Sequence, residues 1–266
     1  MAIFTHFAYH FSILSVLFLC VLGAMLFGIL AGRRKRMELG DAVELGTGAV
    51  DGAVYALLGL LIAFTFSGAT GRFDERRSLI VEEANDIGTA WLRLEMLPPA
   101  AQPSLRQLMI DYTQARVDTY RLLPDITQAE AQLALSQHLQ ARIWAEATMA
   151  VRAPGQDTAA AMLLMPALNA MFDIATTRTM ASLKHPPEII YLTLFVISVL
   201  SALLGGHNMG LAKQQSRFHI LVFPLIISIV ILMIVDIEYP RLGIITVDAF
   251  DSSIIDVLEA MKATGS

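Results

Sequence analysis

Four long apolar runs alternate with polar stretches along the chain, and each is long enough to cross a bilayer as a helix. They extend over residues 8–31, 49–70, 188–204 and 218–235. A hydrocarbon core of about 30 Å takes roughly 20 helical residues, because each residue adds about 1.5 Å along the axis. The pattern therefore predicts two transmembrane hairpins, residues 1–71 and 186–238.

The segment between the two hairpins has apolar residues at helical spacing and many charges. No proline interrupts residues 72–96, so the second membrane helix is predicted to continue into water until Pro98, Pro99 and Pro103. Further helices are predicted over residues 104–123, from Asp125 to 151, and from 157 or 158 to 184. Residues 72–185 are thus predicted to form a soluble helical domain.

Glycines and prolines predict the remaining boundaries. Residues 32–48 form a polar connector, Ala153-Pro154-Gly155 a turn, and the Gly-Gly-His-Asn sequence at 205–208 a second turn. Residues 239–266 form a tail with a short amphipathic helix over 248–261. Gly28 and Gly32 have the spacing of a close helix-packing face, although glycine is also generally frequent in membrane helices.

Composition agrees with an all-α membrane protein that has four transmembrane helices and a helical domain inserted between helices 2 and 3. Apolar residues make up 55% of the chain and charged residues 16%, whereas soluble domains carry about 25% charged residues. The net charge is −5, and Arg33-Arg34-Lys35-Arg36 is the longest basic block, so a nucleic-acid partner is not expected. The lipid bilayer is the expected partner.

The distribution of basic residues predicts which membrane side each end of the spans occupies. One side carries Arg33, Arg34, Lys35, Arg36, Lys213 and Arg217, and the other carries only Arg241 near a short loop. Basic residues of a long domain are discounted by the positive-inside rule. The rule therefore predicts that both termini and the helical domain lie outside the cytoplasm.

No catalytic, cofactor or metal motif stands out. The chain lacks HExxH, CxxC, a glycine-rich phosphate loop and a nucleophile in a strand–turn–helix context, so we expect neither an enzyme nor a cofactor. His6 and His10 are spaced i, i+4 but no third ligand is near. Glu82, Glu83 and Asp86 could offer oxygen ligands to calcium, yet a helix spreads them around its axis. No metal site is predicted.

The second span continues into the sequence Arg-Phe-Asp-Glu-Arg-Arg at 72–77, and Asn85 follows eight residues after its last arginine. This stretch resembles the second helix of bestrophin-type channels, in which a membrane helix continues into Arg-Trp-x-Glu-Ala-Arg with asparagine at the same distance. Most of the chain resembles a bacterial bestrophin-like family more closely, through these residues, Glu-Glu-Ala-Asn at 82–85 and Gly-Thr-Ala-Trp-Leu-Arg at 88–93.

The resemblance implies a pentameric ion channel in a bacterial inner membrane, with small inorganic ions as its substrates. It assigns the apolar pore neck to Ala56, Leu60 and Phe64, whose i, i+4, i+8 spacing puts them on one helix face. Thr65 and Phe66 depart from the Arg-Asn that follows the neck in bestrophins. Bestrophins also keep the inserted domain in the cytoplasm, opposite to the side that the charge distribution predicts.

The sequence leaves two alternatives open. The charges Arg72, Glu75, Arg76 and Arg77 form either a pore mouth that attracts counter-ions or an ordinary salt-bridged helix exit. The whole protein is either an oligomeric channel or a non-conducting membrane sensor or scaffold whose helical domain binds a partner.

Overall fold

The computed structural model describes residues 2–40, 48–123, 125–212, 216–241 and 243–265, with the side chains of all of these except 2–10, 39 and 265. The described residues form eight α-helices, and no strand occurs among them. The helices are α1 (Ala2–Leu39), α2 (Gly48–Arg93), α3 (Gln102–Arg121), α4 (Ile126–Val151), α5 (Thr158–Leu183), α6 (Glu188–Leu211), α7 (Arg217–Glu238) and α8 (Asp248–Gly265).

Four stretches of the described chain are long and apolar enough to cross a membrane. They are Phe11–Glu38, Gly48–Met96, Thr158–Leu211 and Arg217–Glu238. The third stretch contains α6, which covers the predicted run at 188–204. The predicted class, an all-helical membrane protein with four spans and an inserted helical domain, is confirmed.

The chain divides into two compact units. The membrane unit consists of Met1–Gly71 and His185–Ile245, and the helical unit of Arg72–Lys184 and Thr246–Ser266. Helix α2 crosses the division without interruption, as the absence of a proline over residues 72–96 predicts. Helix α8 belongs to the helical unit, whereas residues 239–245 of the predicted tail belong to the membrane unit.

Close contact between α1 and α6 organises the membrane unit. A Cβ added to Gly28 would lie 2.2 Å from the Leu203 carbonyl oxygen, and one added to Gly206 would lie 2.0 Å from the Met25 carbonyl oxygen. Only glycine permits the two backbones to approach this closely. The predicted turn at 205–208 is therefore wrong, because these glycines form a packing face inside a continuous helix.

Helix α1 also extends beyond its predicted end. It continues through the basic block to Leu39, and Gly40 follows it with a positive φ of 65°, a backbone conformation that suits glycine after a helix. Arg36 donates to the Ala212 carbonyl oxygen at the end of α6, which anchors this last part of α1. Residues 41–47 of the predicted connector lie outside the described residues.

The helical unit packs around buried faces of α2, α3, α4 and α5. Its apolar core includes Ile87, Met109, Ile143 and Leu168, together with Met261 of α8. Within each helix, the buried apolar residues recur at helical spacing, and this is the pattern that predicts helices from the sequence.

Side-chain caps define two of the helix starts. Asp125 accepts from the Gln128 backbone N–H at the start of α4, as predicted, and Asp157 accepts from the Ala159 N–H at the start of α5. Gly155, in the predicted turn between these helices, has a φ of 82°. Pro103 lies inside the first turn of α3, a position that proline tolerates, while Pro124 lies outside the described residues.

Candidate pore-lining face of the second helix

Helix α2 has one packed face within the membrane unit. Asp51 accepts a hydrogen bond from Asn208 Nδ2 at 2.7 Å, and the Tyr55 hydroxyl donates to the Ser201 carbonyl oxygen at 3.3 Å. The Tyr55 ring also meets Phe223 edge to face, with centroids 6.2 Å apart. These contacts direct one side of α2 toward α6 and α7.

Ala56, Leu60 and Phe64 lie on the opposite side of α2. Each residue turns a helix by about 100°, so their mean direction is roughly opposite to that of Asp51, Tyr55 and Leu58. All three are exposed, Leu60 by 52% and Phe64 by 67%. Only 11% of the most apolar part of this span is buried, against 39% in α7. This outward face of α2 is therefore largely uncovered within the chain.

The four predicted pore-mouth charges do not form one group. Arg76 is buried and donates to the backbone oxygens of Ala181, at 3.1 Å, and Lys184, at 2.8 Å. Its guanidinium satisfies carbonyl groups at the end of α5, which have no partners within the helix. This position gives Arg76 a structural role inside the helical unit.

The other charges of this group lie closer to the surface. Arg77 pairs with Asp74 at 3.2 Å and lies over the Phe250 ring, 5.1 Å from its centroid. Glu75 is 3.7 Å from Lys184 Nζ, and Arg72 is half-buried. Both interpretations of these three charges, a pore mouth and a salt-bridged helix exit, are compatible with their exposure.

A buried ionic cluster joins four helices of the helical unit, and sequence reasoning did not find it. Glu83 of α2 accepts from Arg116 of α3 and, at 2.7 Å, from Arg178 of α5. Arg178 also pairs at 3.0 Å with Asp251 of α8 and lies over the Tyr120 ring, 3.7 Å from its centroid. Each arginine therefore contacts a carboxylate away from bulk water, as buried charges require.

Electrostatics keeps the cluster ionised. Burial alone would raise the pKa of Glu83, but the guanidiniums of Arg116 and Arg178 outweigh burial and hold that pKa below its usual value. Burial likewise opposes the charge on Arg116, while Glu83 raises the pKa of Arg116 above its ordinary range. The three ionised groups therefore depend on one another.

The cluster includes one residue of the calcium alternative, Glu83. Glu83 points into the helical unit toward the arginines, whereas Glu82 is exposed. Partial burial and then the charge of Glu82 raise the pKa of Asp86. Among the side chains that the structure describes, no three His, Cys, Asp or Glu residues are grouped so that they could hold a metal ion. The side chains of His6 and His10 lie outside the described residues.

Two further acidic residues, Asp236 and Glu238, occupy the end of α7. The carboxylate oxygens of Asp236 accept the backbone N–H groups of Ile244 at 2.8 Å and Ile245 at 2.9 Å. Glu238 is fully buried and lies 3.0 Å from His185 Nδ1. Asp236 thus holds the chain that follows α7, and Glu238 connects the end of α7 to His185, just before α6.

Known structures that are similar to this fold include bacterial bestrophin homologues. One, from Klebsiella pneumoniae and solved as a point variant, has a TM-score of 0.67 at 17% identity, with 92% of this chain and 98% of that chain covered. Another variant from the same organism has a TM-score of 0.64 at 16% identity, covering 91% and 97%. At these identities the similarity establishes the fold. No curated protein matches the sequence.

The chain is thus a multi-pass, all-helical membrane protein with the bestrophin fold. A family model for the bestrophin-like domain matches residues 17–249. The protein belongs to the bestrophin-like family.

Proposed function

We propose that this protein is an oligomeric ion channel of a bacterial inner membrane, with the outward face of α2 lining the ion pathway. The observation that carries the proposal is the exposure of Ala56, Leu60 and Phe64 opposite the packed face of the same helix. Membership of the bestrophin-like family supports the same assignment. Copies of α2 arranged around an axis would cover this face.

The chemistry of the outward face suits a gated constriction. Rings of Leu60 and Phe64 from several copies would form a narrow apolar passage, which can close by losing its water. The bestrophin resemblance makes five copies the expected number. The assignment of Arg72, Glu75, Arg76 and Arg77 to a pore mouth stays a prediction. The burial of Arg76 favours the salt-bridged helix exit for that residue, whereas the exposure of the others is compatible with a pore mouth.

The basic residues support an orientation with the helical unit and both termini outside the cytoplasm. Arg36 contacts the end of α6 at Ala212, so the basic block of α1 lies beside the residues that end α6. Lys213 lies outside the described residues. A reporter fused after Ser266 tests this orientation, because a signal from the cytoplasm would contradict it.

Conductance of the purified protein in planar bilayers tests the channel proposal. Phe64→Ala should raise the conductance, because it removes one apolar ring from the constriction. Phe11→Ala is the matched control: this phenylalanine of α1 is 63% exposed, nearly the same as Phe64, but lies on another span. Protein that stays electrically silent under varied ions and pH, or both variants changing equally, would count against a pathway along α2.

The alternative function is a non-conducting sensor or scaffold whose helical unit binds a partner. Large apolar side chains on that unit favour it, since Leu92, Met162 and Leu183 are exposed. This alternative predicts an association that survives replacement of Leu60 and Phe64. A monomer by native mass spectrometry in detergent would exclude the shared axis that the channel proposal requires.

A further inference from the structure

One end of the membrane unit carries a concentration of positive charge that the channel proposal does not use. Arg33, Arg34 and Lys35 of α1 and Arg217 of α7 are all exposed there. At the other end of α7, Asp236 and Glu238 are buried carboxylates, and Arg241 follows them. We call the first group, Arg33, Arg34, Lys35 and Arg217, the basic end.

Arg34 projects from the side of α1 that faces away from the rest of the unit. Gly28 and Gly32 pack against α6, and Arg34 lies on the opposite side at about 100° per residue. Phe27 and Leu30, seven and four residues earlier, share this outward side and are exposed. A guanidinium therefore follows directly after an apolar surface that is suited to acyl chains.

The carboxylate of Glu38 holds Arg34 only weakly. Glu38 lies 3.3 Å from Arg34 Nε, but the Arg34 side chain is 82% exposed and that of Glu38 64%. An exposed pair of this kind is screened by water and salt and adds little stability. Arg34 can therefore exchange this partner for a phosphate group.

The contacts of α1 with α6 and α7 decide which arginines belong to this surface. Arg36 donates to the carbonyl oxygen of Ala212, so it anchors α1 to α6 instead of facing a ligand. Ile220 of α7 packs against the core that contains Ile29 of α1. This contact brings the start of α7, with Arg217, toward the last turns of α1.

We propose that the basic end binds the headgroups of anionic phospholipids, with their acyl chains along Phe27 and Leu30. Basic residues at a membrane surface attract anionic lipids, and their long stems extend along the apolar boundary to reach the phosphates. An acidic soluble protein would be attracted by the charges but would gain nothing from the adjoining apolar surface. This combination favours a lipid. The inference does not depend on whether the protein conducts ions.

Lipid binding by native mass spectrometry in detergent tests the proposal, using phosphatidylglycerol and phosphatidylcholine as probes. Wild-type protein should retain phosphatidylglycerol in preference to phosphatidylcholine. Arg34→Gln with Lys35→Gln should weaken phosphatidylglycerol binding about 25-fold, since each basic residue contributes about fivefold at a membrane surface. Binding of phosphatidylcholine should not change.

The matched control is Arg121→Gln with Arg142→Gln, which removes two exposed positive charges from the helical unit. This variant should bind phosphatidylglycerol like the wild type. Equal retention of both lipids, or an unchanged affinity in the Arg34 and Lys35 variant, would overturn the proposal. Displacement of the lipid by millimolar inorganic phosphate would show a phosphate site instead. Unchanged size-exclusion elution of the variants confirms that they are folded.

Discussion

Replacing Glu83 by glutamine removes the central charge of the ionic cluster. The exposed fraction is 0% for the Glu83 side chain, 1% for Arg116 and 4% for Arg178, so both guanidiniums stay in a water-poor site after the change. Removing one partner of a buried ion pair costs about 3–5 kcal/mol. Arg178 keeps Asp251 as a partner, whereas Arg116 loses its only carboxylate among the described contacts, which places the expected cost within that range.

Tryptophan fluorescence can follow this loss selectively. The chain has two tryptophans, Trp91 and Trp144, and both belong to the helical unit. A loss of 1 kcal/mol lowers the melting temperature of a domain this size by roughly 3–5 °C, so Glu83→Gln should lower it by about 10 °C or more.

The control for this experiment is Glu82→Gln on the same helix. Glu82 is exposed, and it raises the pKa of Asp86 through repulsion, so its neutralisation should leave the melting temperature almost unchanged. If Glu83→Gln melted within a degree or two of Glu82→Gln, the cluster would not stabilise the helical unit as the contacts indicate.

Three further predictions concern packing and pH. Gly206→Ala should lower the free energy of unfolding by about 1–3 kcal/mol, because the added Cβ forces α1 and α6 apart, and it should broaden the size-exclusion peak. Gly23→Ala should have neither effect, because Gly23 has open space around it. The pKa of Glu83 is lower in the folded protein than its ordinary value of 4.5. The contribution of Glu83 to the free energy of unfolding should therefore be complete above pH 4.5 and fade as the pH falls through the lower folded pKa. The difference in melting temperature between wild type and Glu83→Gln should shrink over the same pH range. Gly243→Ala should lower thermal stability by circular dichroism, because its Cβ would lie 2.1 Å from Asp236 Oδ1; an unchanged melt would contradict this close approach.

Much of the helical pattern could be predicted from the sequence because local chemistry determines it. The proline-free stretch after Gly71 predicts the continuation of α2, and Asp125 with Gln128 predicts the start of α4. Helical periodicity and side-chain capping act within a few residues, so one sequence contains the information they need.

The Gly205-Gly206 pair shows where local rules fail. In water such a pair is typical of a turn, but in this membrane helix Gly206 lies against the backbone of α1 and Gly205 against the Tyr55 side chain of α2. Nothing near these glycines in sequence identifies Met25 as the neighbour, which lies far away along the chain.

The ionic cluster could not be predicted for a similar reason, although the sequence does indicate that two of its four residues are buried. Arg116 lies four residues from both Tyr112 and Tyr120 and so shares the buried side of α3. Glu83 lies between Ile80 and Ile87 on the buried side of α2 in the same way. A charge in register with apolar residues indicates burial, but it does not identify the partner.

The most direct test of the ion pathway along α2 is thiol modification during current recording. In protein with Cys20 replaced by serine, the variants Phe64→Cys and Phe11→Cys place one thiol on each of two exposed span surfaces. A water-soluble thiol reagent reacts with the thiolate, which forms where water reaches the sulfur. The reagent should reduce the current of Phe64→Cys and leave that of Phe11→Cys unchanged. Unaltered current in both variants would contradict it.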